Sequence, residues 1–140
     1  MSLVSFYSEQ TNFSVSNESQ ITDWLISVCQ KEGKTLSEVS IILCSDDYLL
    51  EVNRKHLNHD YYTDVITFDY SEETAISGDV FISVDRVQEN AQSVGADMVD
   101  ELHRIIVHGT LHLLGYTDKT ISAKEEMTSK EDFYLSLRAF

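Results

Sequence analysis

HGTLHLLGYTD, running from His108 to Asp118, sets two imidazoles one helical turn apart, a glycine three residues after the second and a carboxylate three residues beyond that. The residues on either side decide what fold can hold it. Asp97 reads as an N-cap, because a short carboxylate satisfies free amides at a helix start, and Asp100 and Glu101 stand favourably in the first turn. At about 100° per residue, Leu102, Ile105, Ile106, Gly109 and Leu113 form one stripe, and Val107, Leu111 and Leu114 form a second. A helix with two apolar stripes packs on two sides, so it is central. His108 and His112 fall in the gap between the stripes, with Arg104 one turn earlier on the same side. That face is expected to border a cleft. Gly115 is placed to end the helix, since a left-handed residue there turns the chain back.

Outward from that helix, Val39 to Cys44 is a short continuous apolar run, as in a strand buried on both faces. Leu3 to Tyr7, Asp64 to Tyr70 and Gly78 to Val84 read as three further strands. Ile21, Trp24, Leu25 and Val28 recur at helical spacing. A cap at Ser45-Asp46-Asp47 opens a helix to about His56, and Asp85 is expected to cap another through Gln92, ended by Gly95. Ser122 to Leu137 reads as an amphipathic closing helix. No repeat or linker divides residues 1–140, which are expected to form a single domain. The predicted class is α+β: a mixed four-stranded sheet, about five or six helices, and the His-bearing helix packed on the sheet.

Bulk properties exclude several functions. A hydrophobic content of 42% in 140 residues is enough for one buried core. No run reaches the length of a membrane span, and the N-terminus lacks the basic start and apolar block of a signal peptide. A cytoplasmic protein without a membrane partner is expected. Cys29 and Cys44 form no CxxC pair and read as buried reduced thiols. A net charge of −14 argues against DNA and against broad nonspecific nucleic-acid binding, which needs a basic surface. Arg54, Lys55, His56 and His59 form the single cationic cluster.

Histidines at i and i+4 point the same way at a separation one ion can bridge. Asp118 is a natural third ligand once Gly115 reverses the chain. Two imidazoles and a carboxylate with one position open suit a catalytic Zn2+, one ion per chain, and also other first-row ions. The competing arrangement is two buried histidines hydrogen-bonded within a helix, with Asp118 capping the next helix. A zinc peptidase helix reads HExxH, where the glutamate is the general base. Gly109 occupies that position, which argues against a peptidase of the usual kind.

HGTLHLLGYTD resembles the HGxLHLxGYDH signature of the YbeY family, bacterial single-strand-specific endoribonucleases of rRNA maturation formerly grouped as metalloproteases. TDVITF, Thr63 to Phe68, resembles the family's TDVLSF strand, and GDV, Gly78 to Val80, its GDI or GDV. The resemblance extends to element order over the whole chain. It implies that His108 and His112 are zinc ligands and that Asp118 stands where the family has a third, histidine, ligand. It also implies an arginine before the TDVLSF strand; Leu57 occupies that position here. Arg54, or Arg104 on the histidine face, then becomes the candidate cation for a phosphate, Arg104 as part of the catalytic set. Thr63 and Asp64 are candidate lining residues, and Arg54, Lys55 and His59 candidate RNA contacts. Tyr61, Tyr62 and His59 could stack on bases.

The implied function is zinc-dependent cleavage of single-stranded rRNA in 16S rRNA 3′ end maturation and ribosome quality control. With so acidic a chain, recruitment by a ribosomal protein or GTPase partner is expected in preference to autonomous RNA capture. Two other readings stand beside it: a metal-dependent hydrolase of peptide or ester bonds, and a non-catalytic ribosome-biogenesis factor with a structural metal.

Overall fold

Strand alternation and helical stripes resolve into four strands and five helices in a computed structural model that describes residues 3–140. In chain order they are β1 (Val4–Glu9), α1 (Glu18–Lys31), β2 (Thr35–Cys44), α2 (Asp46–Leu57), β3 (Val65–Asp69), β4 (Ala75–Ser83), α3 (Val84–Val94), α4 (Met98–Leu113) and α5 (Ile121–Ser136). The strands form one mixed sheet in the order β1-β2-β4-β3, with β1, β2 and β4 parallel and β3 antiparallel to β4. The α+β class and the four-stranded mixed sheet agree with the sequence-based expectation, and the helices number five.

Successive side chains of a strand point to opposite faces, so the register sorts the sheet into two surfaces. Phe6, Ile41, Val80 and Thr67 stand side by side across the four strands, and Leu43, Ile82 and Val65 make the next row. This face carries the main core. Ile21, Leu25 and Val28 of α1, Ile105, Ile106 and Leu111 of α4, and Met127 and Tyr134 of α5 pack into it. The opposite face carries a smaller cluster, in which Leu49 and Val52 of α2 meet Cys44 and Ile66, with Phe68 and Phe81 alongside. Cys29 and Cys44 are both free and buried, and burial pushes each thiol up to about 12.

The structure differs from the expected boundaries in two instructive places. β2 starts at Thr35, four residues before the apolar run, because Leu36 and Glu38 continue the ladder to β4 across a register shift. The expected cap at Asp85 is displaced to Ser83, whose extended backbone lets its hydroxyl accept from the Arg86 amide at 3.2 Å. Asp85 lies inside α3 and accepts instead from the Asp46 amide at 2.8 Å, at the start of α2. Asp97 does cap α4, accepting from the Val99 and Asp100 amides.

α4 reaches the sheet where Gly109 meets Val80 and Thr67. A Cβ built on Gly109 would stand 2.6 Å from Val80 Cγ1, so only the absence of a side chain lets helix and sheet come this close. α4 also packs against α3 and α5, and His108 stands beside Glu131 of α5. Among the described residues, no helix is long and apolar enough to cross a membrane.

Candidate metal centre

The two histidines are held by α4, and the third group arrives by a turn. Gly115 takes φ 105°, a left-handed conformation that a side chain would strain. The Gly115 amide donates to His112 O and the Tyr116 amide to Leu111 O, both at 3.0 Å, closing the end of α4. The reversed chain carries Asp118 back over the histidines. Asp118 does not cap α5, because Thr120 does so by accepting from the Ala123 amide at 3.0 Å.

His108 Nε2 and His112 Nε2 stand 3.0 Å apart, and Asp118 Oδ2 lies 3.5 Å from the first and 3.7 Å from the second. Four ligands on a tetrahedral ion at about 2.0–2.2 Å are separated by about 3.4 Å, so the triangle has the right size. His108, His112 and Asp118 form the group of the described residues whose donor atoms could hold one metal ion.

Hydrogen bonding supplies a second test of fit. His112 Nδ1 lies 3.0 Å from the Tyr116 carbonyl, which can only accept, so the proton of the neutral ring sits on Nδ1. His108 Nδ1 lies 2.6 Å from Glu131 Oε2, with the same consequence. When both rings are neutral with the proton on Nδ1, both Nε2 atoms face each other and a carboxylate oxygen as acceptors. Three such atoms converging from partly buried side chains fit a cation, and the outer partners orient the imidazoles as they do in metal sites.

The charges around this triangle act in opposite directions. For His108, burial works to lower the pKa, but the hydrogen bond and charge of Glu131 outweigh it and leave the group raised. His112 is lowered, by burial and by the neighbouring His108. Asp64 is close enough for its charge to raise His108. Its carbonyl accepts from the Ser83 amide, which fixes the entry to β3.

Arg104 shares the histidine side of α4 as expected, but its guanidinium is engaged. One nitrogen donates to Glu131 Oε1 at 2.8 Å and another to Asp132 at 2.7 Å. Arg54 is likewise paired with Glu51 and Asp60. Lys55 is exposed on the last turn of α2. His59 Nδ1 pairs with the Tyr61 hydroxyl at 3.0 Å, and the Tyr62 hydroxyl donates to Asp47 while Arg86 lies over its ring. Thr63 is half-buried, and Leu57 is exposed at the end of α2. Thus the structure brings His108, His112 and Asp118 together, sets Asp64 nearby, and leaves the cationic cluster on the last turn of α2, with His59 in the connection to β3.

Two contributors escaped the sequence reading: the Tyr116 carbonyl and Glu131. Glu131 is buried and links Arg104 to His108. Met127, Glu131 and Tyr134 are the buried residues of α5. A carboxylate at the middle of a helical apolar stripe was the available signal.

Fold and site together define an α+β protein whose sheet-packed helix presents a His-His-Asp group able to hold a metal ion. The sequence pattern of the family described as Endoribonuclease YbeY matches residues 4–138. A Cytophaga hutchinsonii protein named Endoribonuclease YbeY is 51% identical over 136 residues, covering 96% of this chain and 95% of that protein. One of the same name from Bacteroides thetaiotaomicron is 49% identical, covering 85% and 87%. The solution structure of TM1509 from Thermotoga maritima superposes with a TM-score of 0.67 at 26% identity, over 95% of this chain and 87% of that one. The chain belongs to the Endoribonuclease YbeY family.

Proposed function

We propose that this protein is a zinc-dependent endoribonuclease of single-stranded RNA, acting in the cytoplasm on rRNA, including the 3′ end of 16S rRNA, and in ribosome quality control. The observation that carries the reading is the convergence of two imidazole Nε2 atoms and a carboxylate oxygen in one half-buried triangle. The names of the curated relatives supply the substrate class. A bound divalent cation would acidify a water and offset charge developing on phosphoryl oxygens. His108, His112 and Asp118 would hold that cation. Glu131 and the Tyr116 carbonyl would keep the two Nε2 atoms unprotonated and aimed inward.

Phosphate recognition is constrained by the ion pairs. Each of the four arginines is committed: Arg54 to Glu51 and Asp60, Arg86 to Asp46, Arg104 to Glu131 and Asp132, Arg138 to Asp100. Among the described residues the one ion-paired lysine is Lys130; of the others, Lys55 lies on the last turn of α2 and Lys119 directly follows Asp118. With all four arginines paired and a net charge of −14, RNA affinity should be low and depend on a ribosomal protein or GTPase partner for delivery.

The deciding experiment uses a labelled single-stranded RNA oligonucleotide and its duplex. Chelator-stripped protein should leave both intact, and stoichiometric zinc should restore cleavage of the single strand alone. Undiminished cleavage by metal-free protein would overturn metal dependence, and intact RNA with turnover of peptides or esters would overturn the substrate class.

Glu131 gives an independent prediction. Glu131→Ala removes the acceptor of His108 Nδ1 and leaves Arg104 paired with Asp132 alone. Zinc affinity should fall about 10- to 100-fold, the usual cost of losing an outer partner of a metal ligand. Competition with a chromophoric chelator measures it, and parental affinity would remove Glu131 from the centre.

A further inference from the structure

The loop that brings Asp118 over the histidines is tied to the C-terminal end of α1. Glu32, the C-cap residue of α1, has a side chain only 13% exposed. Its Oε1 accepts from the Tyr116 hydroxyl at 2.6 Å. Its Oε2 accepts from Lys130 Nζ at 3.3 Å and from the Tyr134 hydroxyl. Lys130 Nζ also lies 5.7 Å from the centre of the Tyr116 ring. Three donors thus stabilise the charged form of a largely buried carboxylate, and its pKa lies below the ordinary value although burial opposes the shift.

Tyr116 is the residue through which this arrangement reaches the centre. Its hydroxyl is held by Glu32, its amide donates to Leu111 O, and its carbonyl accepts from His112 Nδ1. With both ends of the residue fixed, the carbonyl has one direction in which to point. Asp118 follows two residues later on the same turn.

We propose that Glu32 is a positioning residue of the metal centre, acting through Tyr116 to fix the tautomer and direction of His112 and the approach of Asp118. The proposal rests on the metal-binding reading above, and it predicts a property of the metal-free protein as well. Glu32 also joins α1 to α5 through Tyr134 and Lys130, so a purely structural staple is the competing role. Tyr116→Phe separates the two. It keeps the ring, the carbonyl and the contacts of Glu32 with α5, and removes only the hydroxyl that links Glu32 to the loop.

The test compares the parent, Tyr116→Phe, Glu32→Gln and Arg138→Ala. Arg138→Ala is a control for general loosening, since Arg138 pairs with Asp100 and His103 instead of the loop. The first measurement is the histidine side-chain 15N–1H correlation spectrum of the metal-free proteins. His112 should be a single Nδ1–H tautomer in the parent and in Arg138→Ala, and a mixture in the other two. The second is zinc affinity by chelator competition, which should fall about tenfold in Tyr116→Phe and Glu32→Gln and stay parental in Arg138→Ala. An unchanged His112 tautomer in both loop variants would overturn the proposal, as would equal effects in Arg138→Ala. A parent that binds no zinc but shows the expected tautomer pattern would sink the metal reading while leaving the positioning of His112 intact.

Discussion

Replacing His112 with alanine is expected to abolish zinc retention and RNA cleavage together while leaving a folded protein. His112 lies on the rim of α4, with its side chain 24% exposed, outside both apolar stripes. Alanine there keeps the helix and improves its intrinsic propensity. The structural loss is the bond to the Tyr116 carbonyl, worth about 1 kcal/mol, against a total stability of roughly 5–15 kcal/mol for a domain. The chemical loss is far larger. Two donors remain of three, and the triangle of 3.0, 3.5 and 3.7 Å no longer closes. Cleavage should fall by more than about 100-fold, beyond the effect of losing an outer partner. Far-UV circular dichroism should stay parental, and metal content after gel filtration should drop to background. Asp118→His makes the complementary variant, since the related motif ends in histidine at this position. It should retain zinc, with one less negative charge at the centre. If His112→Ala retains both zinc and cleavage, the proposed centre is wrong.

The legibility of the site follows from how local each interaction is. His108 and His112 are linked by helical periodicity alone, which puts them on one side of α4 outside its two apolar stripes. Asp118 was within reach because Gly115 announced a reversal three residues after His112. Glu131 and Glu32 lie 23 residues after His108 and 84 residues before Tyr116, respectively. Their roles depend on how α5 and α1 dock, which no local pattern encodes. Arg104 shows the same limit in reverse: its helical phase was read correctly, but its ion pairs come from α5. Ser83 took the capping role expected of Asp85 because the end of β4, and not a loop residue, supplies the extended backbone that a cap needs. The strand order also lay beyond the sequence. β3 occupies an edge beside β4 while β4 pairs with β2, an exchange of neighbours set by packing.

Gly109 connects the chemistry to the fold. Its position would carry the glutamate of an HExxH helix, yet it faces the sheet. Val80 Cγ1 at 2.6 Å and Thr67 Cγ2 at 3.5 Å leave no room for a side chain. The absence of a peptidase base is therefore enforced by packing. Gly78, on the same face of β4, is tighter still. A Cβ there would meet the Phe68 carbonyl at 2.5 Å and Leu113 Cδ2 at 2.7 Å. A backbone oxygen held in the β3–β4 ladder cannot rotate away, whereas the Val80 methyl that faces Gly109 belongs to a side chain that can shift a little.

Gly78→Ala should accordingly be the most destabilising single-methyl substitution at the α4–sheet contact. Overpacking costs typically about 1–3 kcal/mol, and a clash with backbone belongs at the upper end. The reduced flexibility of the unfolded chain offsets less than about 1 kcal/mol of that. A loss of roughly 2–3 kcal/mol should appear as a lower urea midpoint with an unchanged slope. Gly109→Ala should cost less, about 1–2 kcal/mol, since alanine favours the helix and Val80 can yield. It should also weaken zinc binding, because moving α4 off the sheet moves His108 and His112 relative to Asp118, which hangs on its own loop. The double variant should lose less stability than the sum, since either methyl alone already lifts the same helix. Strict additivity would show that the two contacts yield independently, and a Gly78→Ala protein as stable as the parent would show that the helix does not rest on the sheet here.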